Sequence, residues 1–134
     1  EILTSRVLLR SRDPERLQQF YRHQLRLAVA REYPGGMVFH AGNGLIEIPG
    51  HRSDEASDVT GDILWLQVRD AAATERELRA GGVTIAREPV TEPWGLIEMH
   101  VTDPDGRLLI VVEIPADHPL RRERDDRRAV DVVT

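Results

Sequence analysis

RVLLRSRDPERLQQFYRHQLRLAVARE, residues 6–32, and ILWLQVRDAAATERELRAGGVTIARE, residues 63–88, are two versions of one pattern. Arg12-Asp13 returns as Arg69-Asp70, and Ala30-Arg31-Glu32 returns as Ala86-Arg87-Glu88. Each stretch reads as a strand, an Asp-capped helix and a second strand. The repetition runs on: GNGLIEI, 42–48, aligns with DGRLLIV, 105–111. Self-similarity that keeps its order over most of a chain signals one supersecondary unit used twice.

In the first copy, Val7 and Leu9 alternate with Arg6, Leu8 and Arg10, giving a strand with two distinct faces. Asp13 is a good N-cap with Pro14 at the first helical position. Leu17, Phe20, Tyr21 and Leu25 then recur at three- and four-residue spacing, one apolar stripe along a helix. Short strands are expected near 28–33, 36–41 and 44–48, separated by Pro34-Gly35-Gly36 and Gly42-Asn43-Gly44. The second copy predicts a strand at 62–68, a helix from about 71 to 80 closed by Gly81-Gly82, and strands near 84–88, 95–102 and 107–114. The fold expected is α+β: two βαβββ modules, each a mixed four-stranded sheet with one helix on its outer face, the other faces forming a concave cleft. The modules span 1–50 and 62–115, with a polar, turn-rich linker at 51–61 and a charged tail at 116–134. Within that tail AVDVV, 129–133, reads either as an added edge strand or as a contact with a partner subunit.

Composition excludes several classes of function. The 134 residues include no cysteine, which removes thiolate metal sites, thiol catalysis and redox switching. A net charge of −5 without a basic stripe argues against nucleic acid as a partner. No apolar run approaches the ~20 residues that cross a bilayer, and no signal peptide is visible, so a cytoplasmic protein with no membrane partner is expected. No Ser-His-Asp spacing or glycine-rich phosphate loop stands out.

VTDPDGRLLIVVEIP, 101–115, places strong turn chemistry before an unbroken apolar run, Leu108 to Val112. Together with RSRDPERLQQFYRHQL (10–25), GLIEI (44–48), LQVRD (66–70), LRAGGV (78–83) and EPW (92–94), this stretch resembles the vicinal oxygen chelate superfamily: glyoxalase I, bleomycin-resistance proteins and extradiol dioxygenases. The resemblance covers about residues 2–114. It implies metal ligands at four positions, in the first and last strand of each module. In this sequence those positions fall on Arg6, Glu47, Ile63 and Ile110, and only Glu47 matches. Arginine has no lone pair to give, and isoleucine has no donor at all. Glu113 is no substitute for Ile110, because strand alternation turns it to the opposite face. Zinc or iron needs three or four N/O ligands, so neither metal nor cofactor is expected.

The residues expected to line the cleft are Arg6, Leu8, Arg10, Glu47, Ile63, Trp65, Gln67, Trp94, Glu98, His100, Ile110 and Val112. Arg6 and Glu47 read either as a polar anchor for a ligand or as a structural ion pair. Trp65 reads as a stacking surface or a core residue, and Trp94 as a rim contact or a turn-packing residue. An unconventional metal site would draw on His40, Glu47, Glu98 and His100. The resulting expectation is a metal-free, homodimeric member of the superfamily that sequesters a small organic molecule, with no catalytic residue. The rival is a lyase, isomerase or dioxygenase of the same fold, using an unconventional metal or Glu47 as base. A third reading is a structural or regulatory homodimer whose cleft is filled by its own side chains.

Overall fold

The structure is a computed structural model that describes residues 1–51 and 62–121. Most of the linker and the tail from 122, including AVDVV, lie outside the described residues. The first module runs β1 (Val7–Leu8), α1 (Pro14–Gln19), β2 (Val29–Tyr33), β3 (Gly36–Ala41) and β4 (Gly44–Ile48). The second runs β5 (Leu64–Val68), α2 (Ala71–Ala80), β6 (Ile85–Thr91), β7 (Ile97–Thr102) and β8 (Leu108–Glu113). Each module forms a four-stranded sheet, ordered β1-β4-β3-β2 and β5-β8-β7-β6. In both, the first strand lies parallel to the last and the remaining pairs are antiparallel. This is the expected α+β architecture of two βαβββ modules.

Local chemistry explains where the helices sit. Asp13 accepts from the Arg16 amide at the start of α1, and Asp70 accepts from the Ala73 amide at the start of α2. Glu113 adds a second anchor: its Oε1 accepts from the Ala71 amide at 2.8 Å. A carboxylate there meets both an unpaired N–H and the positive end of the helix. The contact also puts Glu113 on the helix face of its sheet, opposite Ile110, as alternation requires. After Gln19 the first helix widens into a π-helical turn, Phe20–Gln24, in which the Leu25 amide bonds to the Phe20 carbonyl. The apolar stripe continues through it, with Phe20 and Tyr21 buried and Leu25 half-buried.

The helix-side faces of both sheets share one core. Leu17, Phe20 and Tyr21 from the first helical segment and Leu78 from α2 pack with Phe39, Ile46 and Ile48 of one sheet and Met99, Val101 and Val111 of the other. A buried polar knot ties the modules together at this seam. Tyr21 donates its hydroxyl to Asp103 Oδ2 at 2.9 Å, and Arg107 Nη1 donates to the same oxygen at 2.6 Å. Asp103 Oδ1 accepts from the Asp105 and Arg107 amides, closing the Asp-Pro-Asp-Gly turn. Arg16 then reaches from α1 to the Pro104 carbonyl at 2.7 Å. Burial raises the Tyr21 pKa, and the neighbouring Asp103 charge raises it further. Burial alone would lower that of Arg107, but the Asp103 carboxylate holds it above its ordinary value.

Two local expectations are corrected. The first strand is expected to have two distinct faces, but β1 is a two-residue edge in which Val7 and Leu8 are both half-exposed, and only Leu9 beyond it is buried. The helix ends as a π turn rather than continuing in α geometry, and Arg26 leaves it at φ 62 in the left-handed region.

Candidate functional site

The outward face of the first sheet carries a compact polar cluster. β4 alternates, so Ile46 and Ile48 enter the core while Glu47 faces out. Arg6, just before β1, donates Nη1 to Glu47 Oε1 at 2.9 Å. Tyr33, the last residue of β2, donates its hydroxyl to Glu47 Oε2 at 2.7 Å. Both carboxylate oxygens therefore have a donor. The Arg31 guanidinium sits 5.5 Å from the centre of the Tyr33 ring, on the same face. The hydrogen bonds from Tyr33 and Arg6 hold the Glu47 carboxyl below its ordinary pKa. Burial, with the Glu47 bond and charge beside it, raises the pKa of the Tyr33 phenol.

Tyr33 was missed in the sequence reading, though a signal was present three residues on. A Cβ built on Gly36 would lie 2.0 Å from the Tyr33 ring, so the ring lies over the glycine. An aromatic followed across a Pro-Gly turn by a glycine is a sequence in which the ring has somewhere to lie.

The outward face of the second sheet is more apolar. Ile63 is 49% and Trp65 50% exposed, while Leu64, Leu66 and Val68 turn inward against the core. Val112 is fully buried in a second small cluster with Leu96 and Ile114, and Ile110 packs partly buried against it. Glu98 is buried and accepts from Trp94 Nε1 at 2.6 Å, although the Trp94 ring is 58% exposed. His100 follows on the same face of β7, half-buried. Opposite it, Arg87 pairs with Glu92 and donates to the Glu98 carbonyl at 3.1 Å, leaving its Nε buried without a partner. His118 is half-buried, with Nε2 2.9 Å from the Trp94 carbonyl oxygen.

The predicted residues thus assemble in two groups. Arg6 and Glu47 join with Tyr33 on the first sheet; Trp94 joins Glu98 on the second. Leu8 is half-exposed and Arg10 exposed beside the first group. A separate open cavity of about 1030 Å³ lies between the modules. Of the predicted residues it includes Trp65 and Gln67, with Leu25, Asn43, Leu78 and Leu120 among its other walls.

The donor set does not fit a divalent cation. Glu47 spends both oxygens on Tyr33 and Arg6, and the guanidinium has no lone pair to give. Ile63 and Ile110 supply no donor. Among the described residues no three His, Asp or Glu side chains come together as a metal-holding group, and the set His40, Glu47, Glu98 and His100 does not form one.

Against this geometry the family signature described as Glyoxalase/Bleomycin resistance protein/Dioxygenase superfamily matches residues 4–111. The chain belongs to that superfamily. Solved structures agree on the fold. A glyoxalase/bleomycin resistance protein/dioxygenase from Nocardioides is 16% identical, with 89% of this chain and 88% of that one covered and a TM-score of 0.67. TioX from Micromonospora sp. ML1 is 19% identical, with 85% and 100% covered and a TM-score of 0.69. A glyoxalase/bleomycin resistance protein/dioxygenase family enzyme from Burkholderia phytofirmans PsJN is 17% identical, with 83% and 98% covered and a TM-score of 0.69. A search of curated proteins found no match. Identity at this level carries the superfamily fold to this chain and no substrate. Among the described residues no helix is long and apolar enough to cross a membrane.

Proposed function

We propose that this superfamily member binds and sequesters a small organic molecule on its outward sheet faces, without a metal and without chemistry. The observation that carries the reading is the closure of Glu47 by two donors, Arg6 and Tyr33. A carboxylate held ionised between a guanidinium and a phenol is a poor base, since protonating it would break both bonds. The same closure makes it a fixed polar anchor with a defined orientation. Leu8, in register beside Glu47 on the first sheet, and Ile63 and Trp65 on the second sheet are exposed apolar side chains of the kind that line ligand sites: mostly apolar, with few polar groups. Burying ~300 Å² of apolar ligand surface there contributes on the order of 7 kcal/mol before the costs of binding. The bleomycin-resistance branch of the superfamily name supports sequestration as the mode of action.

The protein acts as a homodimer in this reading. Leu8, Ile63, Trp65, Val90 and Trp94 are large apolar side chains exposed on a single copy, and a second copy would cover part of them.

The test is thermal stabilisation by a panel of planar aromatic, peptide-like and cationic compounds, alongside metal analysis of protein purified without chelator. A binder shows stabilisation that grows with ligand concentration and shrinks in Trp65→Ala. A stoichiometric metal removed by Glu47→Gln would overturn the proposal.

A further inference from the structure

A buried carboxylate calls for a positive partner, and among the described residues Glu98 has none. Glu98 is 7% exposed. β7 alternates, so Met99 and Val101 enter the shared core while Glu98 and His100 face outward. Glu98 Oε2 accepts from the Trp94 indole, a neutral donor, and no donor among the described residues reaches Oε1. Arg87 lies on the neighbouring strand, but its guanidinium is spent on Glu92 and on the Glu98 backbone carbonyl. Arg87 and Glu92 cancel as a pair, which leaves the Glu98 charge uncompensated. On the first sheet the opposite holds: both oxygens of Glu47 have donors, one of them a guanidinium.

Two tryptophans share this face with Glu98. The Trp94 ring is fixed at Nε1 by Glu98 and leaves more than half of its surface exposed. Trp65 is half-exposed, and in register it lies beside Ile110, which lies beside His100. Only β8 separates β5 from β7, so about 10 Å, two strand spacings, lies between the strand of Trp65 and the strand of Glu98. Ile110 and Val112 floor that interval. An indole face attracts a cation, and an apolar floor holds the body that carries it.

We propose that this face takes an organic cation: a primary ammonium on an aromatic body, with its head at Glu98 Oε1 beside the Trp94 ring and its body over Ile110 toward Trp65. The proposal rests on the ligand-binding reading above and names the ligand class. An ammonium supplies both the donor and the charge that Glu98 lacks. A neutral hydroxyl supplies only the donor, and a carboxylate supplies neither.

The chain has two tryptophans, both on this face, so their fluorescence reads binding directly. Phenethylamine, phenethyl alcohol and hydrocinnamate share one kind of aromatic body and differ in the charge of the head. The full chain should bind the amine roughly tenfold or more tightly than the alcohol, with the acid weakest. Glu98→Gln keeps an acceptor for Trp94 and should bring the amine to the affinity of the alcohol. Trp65→Ala should weaken amine and alcohol alike and leave their ratio unchanged. Equal binding of amine and alcohol, tighter binding of the acid, or a preference for the amine that survives Glu98→Gln overturns the inference and leaves sequestration standing. Binding of none of the three overturns it too; sequestration falls with it only if the wider compound panel also fails to stabilise the protein.

Discussion

Replacing Asp103 by alanine should come close to unfolding the protein. Its side chain is fully buried, and the Arg107 side chain it pairs with is 11% exposed. Four donors converge on the carboxylate: the Tyr21 hydroxyl, Arg107 Nη1, and the Asp105 and Arg107 amides. Removing one member of a buried ion pair typically costs ~3–5 kcal/mol, because the surviving charge stays in a poor solvent. The unpaired tyrosine hydroxyl and turn amides add to that, though they share one site and the terms are not additive. Against a total stability of ~5–15 kcal/mol this is a large fraction. Tyr21→Phe removes a single hydrogen bond to a charged acceptor and should cost ~1.5–3 kcal/mol, a variant mild enough to remain folded. Asp103→Ala/Arg107→Met removes both charges and should be less destabilised than Asp103→Ala alone. Urea unfolding of the four proteins gives each value. Because Tyr21 and Asp103 belong to different modules, the destabilised variants should also lose the single cooperative transition, the modules unfolding apart. A loss below about 1 kcal/mol for Asp103→Ala, or a double variant worse than the single one, would refute the view that a buried charge pair stabilises the turn on which the seam contact of Tyr21 rests.

Two further outcomes follow from the Glu47 cluster. The carboxyl is held below its ordinary pKa, so the stability it contributes is present above the unfolded value near 4.5 and is lost as pH falls through the folded value; acid unfolding of Glu47→Gln should therefore show a shallower pH dependence in that window. Gly36→Ala should destabilise by ~1–3 kcal/mol, because the new methyl meets the Tyr33 ring, and Tyr33→Ala in the same chain should recover part of the loss when both are measured by urea unfolding.

Much of this fold could be read directly because its signals are local. Asp13 and Asp70 announce helix starts through their own side chains, and strand alternation places Leu64, Leu66 and Val68 inward without reference to any partner. Glu113 shows both the reach and the limit of such reasoning. Alternation turns it away from Ile110, but only the packing of α2 gives it the Ala71 amide to hold. Tyr33 was hidden for a similar reason. Its role depends on β2, β3 and β4 lying side by side, so that a hydroxyl at 33 meets a carboxylate at 47 over a glycine at 36. Val112 was legible as an outward-parity residue but not as a fully buried one, since burial depends on Leu96 and Ile114 arriving beside it.

Residue order alone determined that a βαβββ unit occurs twice, because that follows from periodicity; the resemblance it carries implies four ligand positions, three of which fall on side chains without a usable donor. Tertiary structure decided which groups meet: Tyr33 with Glu47, Tyr21 with Asp103, Trp94 with Glu98. Contacts between residues far apart in the chain depend on how sheets and helices pack, and that packing is a property of the whole fold rather than of any one stretch of sequence.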